Sequence, residues 1–166
     1  GSMASMCGNG TRACAHYAFM NDLAPSSMRF LTGAGVIHST VADDIVETEL
    51  TSPKKLSDSF EEHGHRWYFY DTGVPHLVCF VEDVSVFDKA IARQMRYAYN
   101  ANVNYVALCA GTLHVRTYER GVEDETLACG TGMAASFYAA YCEKMVEKSV
   151  TVYPTSGEEL FLRIEN

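Results

Sequence analysis

Met6-Cys7-Gly8-Asn9-Gly10-Thr11-Arg12-Ala13 and Ala128-Cys129-Gly130-Thr131-Gly132-Met133-Ala134-Ala135 follow one pattern. Each stretch reads Cys-Gly-x-Gly and continues into small and apolar residues. The glycines let the backbone approach a ligand closely. The small-residue run that follows predicts a buried helix that begins at each cysteine.

A cysteine at the start of a helix lies beside unpaired backbone N–H groups and the positive end of the helix dipole. This environment stabilises a thiolate, which is a usable base or nucleophile. The same N–H groups can hold a carboxylate. Two such sites at one pocket would place a thiol on each face of a bound acid.

The composition indicates a globular protein: 166 residues, 48% of them hydrophobic and 20% charged. A net charge of −8 without a Lys/Arg cluster argues against a nucleic-acid partner. No apolar run approaches the ~20 residues of a membrane span, and no secretory signal is visible. We therefore expect a cytoplasmic protein without a membrane partner. Gly1-Ser2-Met3 has the form of an expression scar, so we expect a shortened native sequence to begin at about Ala4.

Six cysteines occur without a Cys-x-x-Cys motif, which favours reduced thiols over a disulfide framework, a zinc ribbon or a redox site. Cys14, Cys79, Cys109 and Cys142 are interpreted as packing thiols. His63 and His65 alternate with glycine and favour a solvated loop over a metal site.

The hydrophobic spacing predicts alternating helices and strands. Residues 53–60 are expected to form a loop, residues 72–76 a turn, and the acidic run 123–125 a solvated loop. Helices are predicted over 8–21, 87–99 and 129–146, and strands over 30–31, 36–41, 45–50, 66–70, 77–81, 103–108, 113–118, 150–153 and 160–164.

The chain resembles the diaminopimelate epimerase family. The resemblance rests on the two cysteine motifs, on Tyr118-Glu119-Arg120-Gly121 and on Glu125-Thr126-Leu127-Ala128 before the second cysteine. Gly73-Val74-Pro75-His76 and Asn102-Val103-Asn104-Tyr105 add support, in the family's order. Proline racemase and its relatives share the two cysteines but lack the Glu-Arg-Gly lead.

The resemblance implies an α+β fold of two halves, each a β-barrel-like sheet wrapped around a central helix. We expect residues 1–60 to form a remnant of the first half and residues 61–166 the second half. Family members carry further strands before the first cysteine and at their end. The first half is therefore expected to be incomplete, and the 166 residues alone are expected to have little activity.

The resemblance also implies a reaction: epimerisation of LL-diaminopimelate to meso-diaminopimelate, in lysine and peptidoglycan-precursor biosynthesis, without a metal, pyridoxal phosphate or other cofactor. One cysteine, as a thiolate, would remove the α-proton, and the other, as a thiol, would deliver a proton to the opposite face. By resemblance these are Cys7 and Cys129.

The remaining site residues are carried over in the same way. The amides of Gly8, Asn9, Gly130 and Thr131 would hold the α-carboxylate. Glu119 and Arg120 would contact the amino and distal carboxylate groups, and Asn102 the distal end. His76 either tunes the pocket or satisfies a loop. Val74 replaces an asparagine that binds substrate in many members, so recognition there must be different or weaker.

An alternative stays open. In this alternative, the chain is a catalytically inactive piece that acts or assembles only with further segments or a partner chain. One example is a homodimer formed through exposed sheet edges.

Overall fold

The computed structural model describes residues 7–165. Gly1-Ser2-Met3, interpreted as an expression scar, lies outside the described residues. The chain divides into two compact units between Ser52 and Pro53. Apart from a 3₁₀ turn at Val84–Val86, the elements are α1 (Gly8–Met20), β1 (Ser27–Thr32), β2 (Gly35–Ala42), β3 (Ile45–Thr48), β4 (Lys54–Glu62), β5 (His65–Asp71), β6 (Pro75–Phe80), α2 (Lys89–Tyr99), β7 (Asn102–Cys109), β8 (Thr112–Glu119), β9 (Asp124–Thr126), α3 (Gly130–Cys142), β10 (Ser149–Pro154) and β11 (Leu160–Arg163).

The first unit consists of α1 and a three-stranded antiparallel sheet in the order β1-β2-β3. Residues of β2 alternate between solvent and the interior, with Ile37, Ser39 and Val41 buried. Helix α1 packs on β2 and β3 and buries Ala15 completely. The predicted hairpin around Thr32–Gly35 is confirmed by the pairing of β1 with β2.

The second unit is built on one mixed sheet in the order β11-β10-β8-β7-β6-β5-β4, with β9 paired to β8. Neighbouring strands are antiparallel except for β6 with β7 and β8 with β10. The predicted α+β class is confirmed. Among the described residues, β4 and β11 form the two ends of this path, so the sheet is open and is not a closed barrel.

Side-chain alternation in the sheet creates two apolar clusters. Val78, Val106 and Val115 pack with the residues of α3, whereas Leu77 and Tyr105 pack in the cluster that includes α2. Because successive side chains of a strand point to opposite faces, the strands carry a helix on each face. Their runs of apolar residues are typical of strands buried on both sides.

Helix α3 is the central helix of this unit, with its small and apolar residues buried on most sides. It begins after Cys129, as predicted, but ends at Cys142 and not near Val146. The chain turns there because Lys144 adopts a left-handed conformation, with φ of 59°, and the Met145 N–H bonds back to the Ala140 carbonyl at 2.9 Å.

The prediction of a loop over 53–60 is wrong, because β4 pairs with β5 through this segment. Its side chains are mostly exposed and polar, as is common for an edge strand, so the hydrophobic pattern gave no strand signal. These residues belong to the second compact unit, which begins at Pro53.

The acidic run 123–125 is not a plain solvated loop. Asp124 and Glu125 belong to β9. Glu123 lies 2.7 Å from Arg96, and Glu125 lies 2.6 Å from Arg116. Residue 76 likewise differs from its prediction: it lies inside β6, paired with Asn102 of β7, and not in a turn. Within residues 7–165, no helix is long and apolar enough to cross a membrane.

Candidate active site at the cysteine-capped helices

Cys7 is the residue that caps the N-terminus of α1 in the first unit. Its Sγ accepts a hydrogen bond from the Gly10 N–H at 3.3 Å, and its side chain is exposed. The Thr11 hydroxyl donates to the Cys7 carbonyl at 3.0 Å. Gly8 is buried, and the exposed Asn9 accepts a hydrogen bond from the Arg12 guanidinium. The sulfur thus lies against a first-turn amide, as the sequence predicts.

Cys129 caps α3 with nearly the same backbone conformation. Its φ and ψ are −128° and 105°, against −138° and 104° at Cys7. The surroundings of the sulfur differ. The Cys129 side chain is buried, and in the first turn of α3, all of which the structure describes, its sulfur accepts no capping hydrogen bond from a backbone N–H. Its Sγ lies 3.6 Å from the Thr131 hydroxyl.

A buried polar cluster lies beneath the start of α3, formed by His76, Asn102, Asn104, Thr117 and Thr131. Each of these residues is at most 5% exposed. His76 pairs with Asn102 across β6 and β7, and Asn104 pairs with Thr117 across β7 and β8. The cluster therefore places polar side chains of three adjacent strands against one end of one helix.

Hydrogen bonds connect the cluster to the helix. His76 Nε2 lies 2.9 Å from Thr131 Oγ1, and His76 Nδ1 lies 3.1 Å from Asn104 Nδ2. Thr117 donates to Asn104 Oδ1 at 2.9 Å. The Thr72 hydroxyl donates to the Thr131 carbonyl at 2.8 Å. The start of α3 is thus fixed at both the side chain and the carbonyl of Thr131.

His76 is neutral in this environment. Burial lowers the pKa of His76 from 6.5 to about 3, and the positive charge of Arg120 adds to the shift. A charged imidazolium loses its hydration in such a site, which explains the direction. The ring therefore acts at neutral pH as a hydrogen-bonding group.

Gly132 allows α3 to approach the sheet closely. A Cβ atom at this position would lie 2.5 Å from Asn104 Oδ1 and 3.3 Å from both Cys129 Sγ and His76 Cε1. The equivalent Gly10 in α1 has only ordinary contacts, with Cys7 Sγ at 3.4 Å. The second glycine of the motif is thus a steric requirement in α3 but not in α1.

Arg120 borders the cluster through Asn102, and Glu119, the last residue of β8, precedes it in the chain. The backbone N–H of Arg120 donates to Asn102 Oδ1 at 2.7 Å, and the Arg120 guanidinium donates to the Asn100 carbonyl at 2.8 Å. Glu119 accepts a hydrogen bond from the Thr126 hydroxyl at 2.8 Å. In the second unit, the structure brings Cys129, Thr131, His76, Asn102 and Arg120 together.

Sequence reasoning missed Thr72, Asn104 and Thr117 as members of this site. One signal could have identified Asn104: in the strand Asn102-Val103-Asn104, period-2 alternation places both amides on the same face. Across residues 7–165, no group of three or more His, Cys, Asp and Glu side chains is arranged to hold a metal ion.

Sequence comparisons identify similar proteins. The family model for diaminopimelate epimerase matches residues 68–166. A diaminopimelate epimerase of a Nitratiruptor species is 60% identical over 167 residues, which cover 100% of this chain and 67% of that protein. One from Helicobacter pylori is 38% identical over 184 residues, with 100% and 68% covered. The chain spans about two thirds of the length of these relatives.

Solved structures with a similar fold share little sequence. A phenazine biosynthesis protein of the PhzF family from Bacillus anthracis has a TM-score of 0.68 at 14% identity, over 95% of this chain and 66% of that one. A hydroxyproline epimerase from Agrobacterium vitis, with bound trans-4-OH-L-proline, also has a TM-score of 0.68, at 12% identity, over 95% and 58%. At such identities the likeness concerns the fold alone.

Proposed function

Because this chain belongs to the diaminopimelate epimerase family, we propose that it epimerises LL-diaminopimelate to meso-diaminopimelate, with Cys7 and Cys129 as acid and base and without a cofactor. This assigns it to lysine and peptidoglycan-precursor biosynthesis. The observation that carries the proposal is Cys129: a buried thiol at the N-terminus of a buried helix, beside the Thr131 hydroxyl and above a neutral histidine.

The first step is proton transfer from carbon. The thiolate of one cysteine removes the α-proton and becomes a thiol, and the bonding electrons remain on the α-carbon. The thiol of the other cysteine then donates its proton to the opposite face and becomes a thiolate. The configuration is inverted, and the two cysteines have exchanged protonation states.

The carbanion needs electrostatic stabilisation, because an amino-acid α-proton is very weakly acidic. The first N–H groups of a helix have no partner within the helix, and in α3 they belong to Gly130 and the residues after it. Such groups bind carboxylates and stabilise charge that develops on them. We assign the substrate α-carboxylate to the amides of Gly130 and Thr131, with Gly8 and Asn9 in the equivalent role at α1.

The remaining contacts are assigned by charge. The Arg120 guanidinium has further N–H groups besides the one that binds the Asn100 carbonyl, and a planar guanidinium suits the distal carboxylate. Glu119 suits the substrate ammonium group. Asn102 lies against the Arg120 backbone and would face the distal end. His76 is assigned a tuning role, because it bonds Thr131 and Thr131 lies beside the sulfur.

A two-thiol mechanism requires reduced cysteines, and reduced thiols persist in the cytoplasm. We therefore place the protein there. In the described structure all six cysteines are thiols and none is bonded in a disulfide.

A second candidate function is supported by exposed apolar side chains in the first unit. Leu31 is 87% exposed, Ile45 73% and Leu23 69%, and burial of such side chains against a partner is favourable. Under this proposal the site acts only when further segments or a second copy cover these residues. If a second copy covers them, activity per molecule increases with chain concentration, and the mass in solution exceeds that of the 18.4 kDa chain.

Incubation of the purified chain with LL-diaminopimelate in deuterated water tests the function. We expect solvent deuterium at the α-carbon and the appearance of the meso isomer, more slowly than with the Nitratiruptor protein as reference. Cys129→Ala should abolish formation of the meso isomer, whereas Cys142→Ala, at the exposed end of α3, should retain it. Failure of the chain to incorporate any label at high concentration would contradict the proposal for these residues.

A further inference from the structure

The side-chain amide of Asn104 has a fixed orientation. Its Nδ2 lies 2.8 Å from the Leu77 carbonyl oxygen, which can only accept a hydrogen bond. Its Oδ1 receives the Thr117 hydroxyl at 2.9 Å. The amide nitrogen, and not the oxygen, therefore faces His76 Nδ1 at 3.1 Å.

This orientation determines which nitrogen of His76 carries the proton. An amide N–H that points at Nδ1 needs an acceptor there, so the neutral ring is protonated at Nε2. The Nε2–H then donates to Thr131 Oγ1 at 2.9 Å. Asn102 Nδ2 lies farther from Nε2, at 3.3 Å, and its orientation is set by the Arg120 N–H on Asn102 Oδ1. The Thr131 hydroxyl can accept or donate, so the comparison of the two amide contacts decides: the shorter one, at Nδ1, favours the Nε2–H tautomer.

The tautomer decides what Thr131 does. When Thr131 Oγ1 accepts the His76 proton, its own proton points elsewhere, and Cys129 Sγ lies 3.6 Å away. In the opposite tautomer, the Thr131 hydroxyl would donate its proton to His76 Nε2. Only the first arrangement gives the sulfur a hydroxyl donor, and a donor stabilises a thiolate over a thiol.

We propose that Asn104 is a positioning residue, which holds His76 in the Nε2–H tautomer so that the Thr131 hydroxyl donates to the Cys129 thiolate. The chain of contacts runs from Asn104 through His76 and Thr131 to the sulfur. The inference rests on the proposed role of Cys129 as a base. Gly132 belongs to the same arrangement, because a Cβ atom there would displace Asn104 Oδ1.

Nuclear magnetic resonance of the ¹⁵N-histidine-labelled chain tests the tautomer without substrate. Two-bond ¹⁵N–¹H correlations distinguish a protonated Nε2 from a protonated Nδ1, and loss of signals in His76→Gln identifies the ring. We expect protonation at Nε2 at pH 7. A ring protonated at Nδ1, or at both nitrogens, would overturn the proposal.

Alkylation of Cys129 as a function of pH tests the consequence. Rates are read by mass spectrometry of the peptide that carries Cys129, with the fully buried Cys79 as internal reference. We expect Thr131→Val and Asn104→Leu to reduce the alkylation rate at pH 7 by about tenfold, the factor for one hydrogen bond to a charged group, and to move the rate profile to higher pH.

Two variants separate positioning from general damage. Thr131→Ser keeps the hydroxyl and should restore the parent profile. Ser136→Ala removes a different buried hydroxyl of α3, which donates to the Gly132 carbonyl within the helix, and it should leave the profile unchanged. Equal profiles for Thr131→Val and the parent would refute the proposal even if Asn104→Leu fails to fold. Neither measurement uses diaminopimelate, so an absence of epimerase activity would count against the proposed function and not against this relay.

Discussion

Gly132→Ala adds a single methyl group, and we expect it to lower the free energy of unfolding. The added Cβ would lie 2.5 Å from Asn104 Oδ1 and 3.3 Å from Cys129 Sγ. Asn104 has little freedom to move away, because hydrogen bonds with Thr117 and the Leu77 carbonyl hold its two ends. The methyl group therefore has to displace either the amide or the helix.

The magnitude follows from two opposing effects. Alanine in place of glycine within a helix gains about 1 kcal/mol of helix propensity. Forcing a methyl group into a packed interior costs about 1–3 kcal/mol, and each buried hydrogen bond that Asn104 loses costs about 1 kcal/mol more. We expect a net loss of about 2 kcal/mol in the free energy of unfolding.

Urea unfolding measures this loss. Trp67 is the single tryptophan of the chain and is completely buried in the second unit, so its fluorescence reports the unit that contains Gly132. Gly10→Ala is the matched control: it occupies the same motif position, and its Cβ would have only ordinary contacts. Circular dichroism should show Gly10→Ala to be at least as stable as the parent. A Gly132→Ala chain of parental stability would refute the close approach of α3 to Asn104.

Two further stability predictions follow from charge. The pKa of His76 falls from 6.5 to about 3 on folding, so the unfolded chain binds the proton more readily than the folded chain. The stability that this group contributes is present above pH 6.5 and is lost as the pH falls. We expect the free energy of unfolding to decrease by about 2 kcal/mol between pH 7.5 and 5. Urea titrations at each pH should show this slope in the parent and lose it in His76→Gln; an unchanged slope would contradict a buried neutral ring. Arg116→Met breaks a two-point pair with Glu125 at 2.6 and 2.7 Å and should cost about 1–3 kcal/mol. Arg66→Met, in an exposed pair with Glu61, should cost clearly less; equal costs would show that burial of the Arg116 pair is unimportant.

The sequence pattern predicts the elements that carry the cysteines. Cys-Gly-x-Gly followed by small residues places each cysteine at a helix N-terminus, and both helices begin there. The pattern works because a helix start is a local event, governed by the capping residue and the first turn. Strand β4 was missed for a related reason. An edge strand needs only one paired side, and its polar residues follow no apolar alternation.

The difference between the two cysteines is not visible in the motifs. Cys7 and Cys129 share a backbone conformation, yet one sulfur is exposed against the Gly10 N–H and the other is buried beside the Thr131 hydroxyl. The Thr131 hydroxyl beside Cys129 is held by strands far away in sequence, which supply His76 and Asn104. Contacts of this kind depend on strand order and register, and no local pattern encodes them.

The isotope content of the first turnover tests the central claim, that Cys7 and Cys129 act as opposed acid and base, most directly. LL-diaminopimelate is incubated in deuterated water, the reaction is stopped at low conversion, and both isomers are separated and analysed by mass spectrometry. Two opposed cysteines predict one deuteron in nearly every meso product, while the LL isomer that remains is still unlabelled. Product that retains the original hydrogen would contradict the account, because it would show that a single group removes and returns the proton.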